Sequence, residues 1–224
     1  MNAEVARTRN PEGTKRAVVD AAERLFAERG FAGTSMRDIS EASGVSQPLI
    51  QHHFGSKEGL YSSVLRRAVE NYAARFPDAA RVTDQPVDVQ TELERLFQFV
   101  RDYPLQTRIV GWARLEGKQG LVTGCEALRC AMVHRIERGQ ELGLVRNDID
   151  APSLAVMLEA LIFYWFENRP LNAALFPAGL DDDAYVRKAI ALLERGFAPG
   201  GTGRSAKQSG TARASRKPSR SSRT

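Results

Sequence analysis

Few residues of this chain are suited to bind a metal ion or to carry redox chemistry. Its 224 residues include two cysteines and three histidines. Cys125 and Cys130 stand five positions apart, which matches no common zinc-ligand spacing, and a reducing compartment would keep them as thiols. We expect both to pack against neighbouring helices rather than to form a redox switch. The sequence also lacks a His-Glu-x-x-His motif and a glycine-rich phosphate loop, so it predicts no metal, no cofactor and no enzyme.

Long apolar runs are missing as well. The longest unbroken run of large apolar residues extends from Leu161 to Phe166, whereas a membrane-spanning helix needs about twenty apolar residues. The first ten residues, MNAEVARTRN, contain no hydrophobic stretch of the kind found in a signal peptide. We therefore expect a cytoplasmic protein without a membrane partner.

Acidic residues are absent from the C-terminal end. Residues 200–224 contain seven lysines or arginines and no acid, so the net charge of +5 for the whole chain leaves about −2 for the rest. Such a polar composition predicts a disordered basic tail, because too little apolar surface is available to offset the loss of chain entropy. The tail either solubilises the protein or attracts nucleic-acid phosphates non-specifically. Residues 1–60, by contrast, hold eight bases and eight acids.

Three helix starts are present in residues 34–61, TSMRDISEASGVSQPLIQHHFGSKEGLY. Ser35 can cap a first short helix that ends at Gly44. Ser46 can cap a second helix with Pro48 in its first turn, and Ser56 a third. Two short helices joined by a glycine-containing turn are typical of a DNA-binding helix-turn-helix. The alternative is an αα-corner inside a helical enzyme or carrier.

A further helix is predicted upstream, from Thr14 to Arg29, with Gly30 at its end. Together with the two short helices it would form a compact three-helix unit. Its expected core consists of Val18, Ala22, Leu25, Phe26, Phe31, Met36, Ile39, Val45, Ile50 and Phe54.

From about Thr14 to Tyr61 the chain resembles the N-terminal DNA-binding domain of the TetR family of transcriptional regulators. The shared features are the ERGF-x-x-TS-x-RDI segment, the GVS corner, the HF pair that closes the recognition helix and the SKE-x-L segment that opens the next helix. One position departs from the family, since Gln51 stands where a tyrosine is usual.

The resemblance implies a DNA interface. The residues that face the major groove would be Arg37, Gln47, Pro48, Leu49 and Gln51. Arginine pairs with guanine, glutamine with adenine, and apolar groups lie against the thymine methyl. Ser35, His53 and Lys57 would contact phosphates, which sets register without reading sequence. Ser46 completes the interface, whereas we expect His52 to be solvated.

Residues 61–199 are predicted to be helical, with helices over 87–103, 105–115, 121–142, 151–167 and 182–195. The resulting fold is all-α. A DNA-binding domain (residues 1–56) would be followed by a helical effector-binding and dimerisation domain (57–199) and the basic tail (200–224).

The helix over 151–167 is apolar on nearly every side and therefore needs cover all round. In the TetR family the last two major helices form a four-helix bundle with those of a second copy. The resemblance therefore implies a homodimer, with a monomeric core helix as the alternative. The expected interface residues are Leu154, Leu158, Leu161, Ile162, Trp165, Ile190 and Leu193.

The family also builds a small-molecule site among the helices of its second domain. Trp112 stands between Arg108 and Glu116 at helical spacing, which suits an aromatic ligand held by stacking and charge, or equally a surface ion pair beside a core tryptophan. The full set of candidates is Phe97, Arg108, Trp112, Glu116, His134, Phe163 and Tyr164. The sequence thus predicts a ligand-responsive regulator, most often a repressor, that binds a palindromic DNA operator. A regulator without a small ligand is the alternative.

Overall fold

The computed structural model describes residues 11–175 and 181–198, which form ten α-helices and one short 3-10 helix without a β-strand. This confirms the all-α prediction. None of the helices in these residues is long and apolar enough to cross a membrane. The tail over 200–224, predicted to be disordered, lies outside the described residues. The α-helices are α1 (Pro11–Arg29), α2 (Met36–Ser43), α3 (Gln47–Phe54), α4 (Lys57–Arg75), α5 (Val89–Asp102), α6 (Pro104–Leu115), α7 (Cys125–Glu141), α8 (Ala151–Glu167), α9 (Arg169–Leu175) and α10 (Asp182–Phe197).

The predicted caps set the boundaries of the first four helices. The Ser35 side chain accepts a hydrogen bond from the backbone N–H of Asp38, whose carboxylate accepts from the Ser35 backbone, so a complete capping box begins α2. Gly44 ends α2 in the left-handed conformation (φ 68°), which glycine adopts without steric cost. Ser56 Oγ caps α4 by accepting from the Gly59 N–H at 3.1 Å.

The helices enclose two hydrophobic clusters. The N-terminal cluster contains buried side chains from α1, α2, α3, α4 and α6: Val18, Ala22, Phe26, Ala27, Ile39, Ile50, Leu60, Tyr61, Val64, Leu65, Ile109 and Ala113. All ten predicted core residues lie in it or pack against it. The contribution of α6 was not expected, since the predicted DNA-binding domain ended at residue 56.

The C-terminal cluster is built mainly from α5, α7, α8 and α10, and the end of α4 adds Tyr72 and Phe76. Thus α4 contributes side chains to both clusters, and Arg67 ties it to α1 through ion pairs with Asp20 (2.5 Å) and Glu23. Helix α4 therefore connects the two halves of the described chain.

The C-terminal half differs from the predictions in three respects. The helix expected from Leu121 begins instead at Cys125, because Gly124 adopts a left-handed conformation (φ 86°) and a 3-10 helix occupies Gln119–Leu121. Helix α9, with Pro170 in its first turn, was missed. Cys130 is exposed, contrary to its expected packing role, and Cys125 is half-buried.

A buried ion pair lies inside the C-terminal half. Arg135 Nη1 of α7 donates to Glu92 Oε1 of α5 at 2.5 Å, and only 6% and 2% of the two side chains are exposed. Arg95 donates to the same oxygen at 3.0 Å, while Glu92 Oε2 has no partner. Burying two charges is costly unless both are paired, so removing either side chain would leave an uncompensated charge between α5 and α7.

Candidate nucleic-acid interface

Helix α3 presents its predicted reading positions to solvent. Gln47, Pro48, Leu49 and Gln51 are exposed, whereas Ile50 is completely buried in the N-terminal cluster. His52 is exposed and His53 is half-buried beside Phe54. This is the arrangement that a recognition helix needs, because one face anchors the helix and the other can reach base edges in a groove.

The turn between α2 and α3 is fixed by side-chain hydrogen bonds. Ser40 Oγ donates to the Val45 carbonyl at 2.7 Å, and Ser43 Oγ accepts from the Val45 N–H at 3.3 Å. Ser46 lies at the N-cap of α3, but its side chain makes no capping hydrogen bond. The angle between α2 and α3 is therefore set within the turn, and the Ser46 hydroxyl is not committed to the cap.

Two predicted DNA contacts already have acidic partners. Ser35 Oγ donates to Asp38 Oδ2 at 2.7 Å, and this hydrogen bonding holds the pKa of Asp38 below its ordinary value of 3.8. Arg37 Nε donates to Glu41 Oε1 at 2.9 Å on an exposed surface. A serine hydroxyl has one hydrogen to donate, so Ser35 must release Asp38 before it can donate to a phosphate. Arg37 would have to give up its exposed ion pair with Glu41 in order to contact a DNA base.

Lys57 lies at the first turn of α4, with its Nζ 4.2 Å from the centroid of the Phe31 ring. Free backbone N–H groups and the helix dipole at this end favour an anion. Phe31 belongs to the turn between α1 and α2, and its ring meets the Tyr61 ring edge-on at 5.2 Å. The ammonium group is thus held beside the turn that leads into α2.

Trp112 and Glu116, predicted as ligand-binding residues, instead join α6 to the turn after α1. The Glu116 carboxylate accepts from the backbone N–H groups of Phe31 (2.8 Å) and Ala32 (2.9 Å). Trp112 Nε1 donates to the Ala27 carbonyl at 3.2 Å. A β-carbon at Gly30 (φ 72°) would lie 2.8 Å from Glu116 and 2.9 Å from the Trp112 ring, so the close approach requires glycine.

We define this joint as residues 27–34 of the α1–α2 segment packed on residues 109–116, which comprise the end of α6 and the following Glu116. Two further hydrogen bonds lie beside it. The Tyr61 hydroxyl donates to the Ile109 carbonyl at 3.3 Å, and burial raises the pKa of the Tyr61 phenol. The buried Thr34 hydroxyl donates to the Gly30 carbonyl at 2.9 Å. Apart from Gly30, which was predicted only as a helix end, no sequence pattern indicated this joint.

The other ligand candidates do not converge on one site. Phe97 lines a cavity of about 230 Å³ between α5 and α10, together with Arg101 and Asp183. Arg108 is exposed on α6, and Tyr164 is 61% exposed on α8. His134 and Phe163 are half-buried. In the described part of the chain, no group of three or more acidic, histidine or cysteine residues could hold a metal ion.

The candidate dimer residues divide into two sets. Leu154, Leu158, Ile162 and Trp165 are buried inside the single chain, and Trp165 stacks on Tyr185 of α10 at 4.1 Å. These side chains belong to the core of the single chain and are therefore not available to a partner. Leu161, Ile190 and Leu193 are half-buried. The exposed apolar residues of α8 are instead Val156, Met157, Ala160 and Tyr164, with Leu192 exposed on α10.

Comparison with known proteins gives the same result for both halves of the chain. Residues 18–64 match the family model of bacterial regulatory proteins of the tetR family, and residues 88–195 match that of tetracyclin repressor-like C-terminal domains. Together the two matches span more than half of the chain.

Individual relatives cover two thirds or more of this chain. The transcriptional repressor SCO4008 of Streptomyces coelicolor is 29% identical over 156 residues, which cover 68% of this chain and 78% of the relative. The transcriptional regulator RutR of Escherichia coli K12 is 28% identical over 194 residues, covering 84% and 91%. The crystal structure of SCO4942 from Streptomyces coelicolor superimposes with a TM-score of 0.69 at 22% identity, covering 82% of this chain and 98% of that one.

Proposed function

Since the chain belongs to the TetR family of bacterial transcriptional regulators, we propose that it is a ligand-responsive repressor that binds a palindromic operator as a homodimer. The observation that carries this proposal is the solvent-exposed face of α3, held in place by the buried Ile50 and by the fixed α2–α3 turn. Because a bacterial operator is reached in the cytoplasm, we propose that the protein is located there.

Base reading is assigned to the exposed side chains of α3 and to Arg37 of α2. Gln47 and Gln51 are one helical turn apart, so both amides can reach base edges on the same side of α3. Phosphate contacts are assigned to Lys57, His53 and Ser46, while Ser35 serves first as the α2 cap. Pro48 and Leu49 supply apolar contact with thymine methyl groups.

The dimer surface is assigned to the exposed apolar stripe of α8, formed by Val156, Met157, Ala160 and Tyr164, and to the exposed Leu192 of α10. Positions 157, 160 and 164 recur at helical spacing, so they lie on one side of α8. Contiguous apolar surface of this kind marks a protein contact more often than it marks free surface. A twofold partner on this stripe would place two α3 helices on one side of the DNA.

The effector signal is assigned to two routes between the halves. Helix α4 contributes buried residues to both hydrophobic clusters, and the end of α6 is bonded to the α1–α2 turn through Glu116 and Trp112. A ligand that shifts α6 or α4 therefore changes the position of α2 and α3. The usual coupling of about 1–3 kcal/mol would weaken operator binding by roughly 5- to 150-fold. We keep the proposed domain boundary at residue 56, and both routes join the parts of the chain on either side of it.

Selection of binding sites from random-sequence DNA tests this function. We expect the full-length protein to enrich a twofold-symmetric motif, with half-sites about 34 Å apart or a multiple of that spacing. Enrichment of no motif, or of an asymmetric one, would contradict the proposal. The selected operator then serves in a release assay with a metabolite panel. A compound that raises the melting temperature and frees the DNA would identify the effector, whereas a panel without effect would favour the regulator that needs no small ligand.

A further inference from the structure

Two lysine side chains contact the ring of Phe31. Nζ of Lys57 lies 4.2 Å from the ring centroid, and Nζ of Lys118 lies 4.5 Å from it. Lys57 begins α4, whereas Lys118 follows the end of α6, in the segment that leads to the 3-10 helix. The ring therefore brings one cation from the N-terminal helices next to one from the α6–α7 segment.

Neither the ring nor the backbone of Lys118 is free to move away. Phe31 packs against Tyr61 at 5.2 Å and against Phe26 at 6.3 Å, and both of those rings belong to the N-terminal cluster. The Lys118 N–H donates to the Ala113 carbonyl at 2.6 Å, and the Lys118 carbonyl accepts from the Leu121 N–H at 2.9 Å. The proximity of the two lysines is thus built into the packing of α1, α4 and α6.

The two ammonium groups lack an acidic partner. In residues 11–175 and 181–198, no carboxylate oxygen lies within 4.0 Å of either nitrogen. Glu116 is close in sequence, but its two oxygens accept from the Phe31 and Ala32 N–H groups. Because both nitrogens lie within 4.5 Å of the same ring centroid, the distance between them is shorter than the Debye length of about 10 Å at 0.1 M salt. They therefore repel each other until an anion binds.

We propose that Lys118 is a DNA-phosphate contact, so that the α6–α7 segment forms part of the DNA interface. The inference rests on the proposed function, which places Lys57 on the DNA backbone. A phosphate chain that reaches Lys57 passes a second cation held by the same ring, and binding there relieves the repulsion. Lys118 adds affinity without base preference, as phosphate contacts do. Because it follows Glu116 by two residues, its charge moves with the end of α6.

The salt dependence of DNA binding tests this contact. Each phosphate contact adds about 0.9 to the slope of log K against log salt, so a dimer that loses two contacts should have a slope about 1.8 less steep. We would titrate the full-length protein with the selected operator and with random DNA over a series of salt concentrations. The variants are Lys118→Ala, Lys118→Arg and Lys57→Ala, and sedimentation and circular dichroism confirm that each remains a folded dimer.

Arg81→Ala is the matched control. Arg81 is exposed in the turn beyond the far end of α4, whose 19 residues span about 27 Å at 1.5 Å per residue, whereas Lys57 lies at its first turn. We expect Lys118→Ala to flatten the slope equally for both DNAs, and Lys118→Arg and Arg81→Ala to keep the original slope.

Three results would overturn the inference. An unchanged slope for Lys118→Ala beside a reduced slope for Lys57→Ala would remove Lys118 from the interface and leave the proposed function intact. Unchanged slopes for both would remove Lys57 as well, and with it this part of the proposed function. An equal reduction of the salt slope in Lys118→Ala and Lys118→Arg would show that the side chain acts through its packing on Phe31 rather than through its charge.

Discussion

The carboxylate of Glu116 accepts a 2.8 Å hydrogen bond from the backbone N–H of Phe31, although 85 positions separate the two residues in the chain. Phe31 lies in the turn that leads into α2, and Glu116 directly follows α6. The end of α6 therefore holds the entry to the DNA-reading helices through a charged acceptor. A displacement of α6 either carries that turn with it or breaks the bond.

Glu116→Ala should uncouple the two halves of the chain. The variant leaves two backbone donors without their charged acceptor, and hydrogen bonds to charged groups contribute about 1.5–3 kcal/mol each when buried. Because the Ala32 contact is exposed, we expect a total loss of about 1–3 kcal/mol in unfolding free energy and a weaker response of operator binding to the effector. Glu116→Gln keeps one acceptor oxygen, so its unfolding free energy should lie between those of the unmodified protein and Glu116→Ala. Glu70→Ala removes a surface carboxylate of α4 and serves as the control. Equal stability of the Glu116→Ala and Glu70→Ala variants would contradict this role.

Gln47→Ala should change which operator is selected. A bidentate amide contact to adenine discriminates by about 1–3 kcal/mol, so its loss relaxes base preference at one position in each half-site. Arg37→Ala should relax a different position, with a smaller loss where breaking the Glu41 ion pair offsets the gain from DNA. Binding-site selection with each variant measures both effects, and Gln90→Ala on α5 is the matched control. An unchanged motif for Gln47→Ala would exclude this side chain as a base reader.

Neighbouring residues of α8 should respond differently to a negative charge. Met157 is 48% exposed, so Met157→Glu should leave the helical content intact while it splits the dimer and abolishes operator binding. Leu158 is completely buried. Leu158→Glu should instead lower the unfolding free energy by at least about 4 kcal/mol, because the buried charge has neither water nor a partner.

Sedimentation and circular dichroism distinguish the two outcomes. Val82→Glu places the same charge on an exposed apolar residue outside α8 and α10, and it should remain a folded dimer. A Met157→Glu protein that sediments as a dimer would move the interface away from this stripe.

Arg135→Met should cost about 3–5 kcal/mol in unfolding free energy, because it leaves the buried Glu92 carboxylate with only Arg95 as a charged partner. The double variant Glu92→Leu with Arg135→Met removes both charges and should be more stable than the single one. Urea unfolding at one fixed protein concentration measures the unfolding free energy of the unmodified protein, the single variant and the double variant. Glu141→Ala, which breaks an exposed pair with Arg138, should cost less than about 1 kcal/mol. A double variant less stable than Arg135→Met would contradict the predicted energetics.

Local patterns were enough to predict the reading helices. The caps at Ser35 and Ser56 and the left-handed Gly44 act within a few residues, so the sequence carries their signal directly. The apolar spacing of α1 likewise identified its buried face, including Val18, Ala22 and Phe26.

Long-range contacts were not predictable in the same way. Trp112 and Glu116 have the composition of a ligand site, and only the fold shows that they meet the α1–α2 turn. In α7, the charged Arg135 lies on the buried face, whereas Cys130, which was expected to pack against neighbouring helices, is exposed. In α8, apolar residues on nearly every side do not show which of them face the subunit's own core.

The joint between residues 27–34 and 109–116 means that the first 56 residues are not an interchangeable cassette. A hybrid regulator that joined them to the helical part of another relative would present the Phe31 and Ala32 N–H groups to a foreign surface. Any residue other than glycine at position 30 would place a β-carbon against Trp112 and Glu116 and hold α6 away. Engineers who wish to transplant this operator preference should therefore graft the end of α6 together with α1 to α3.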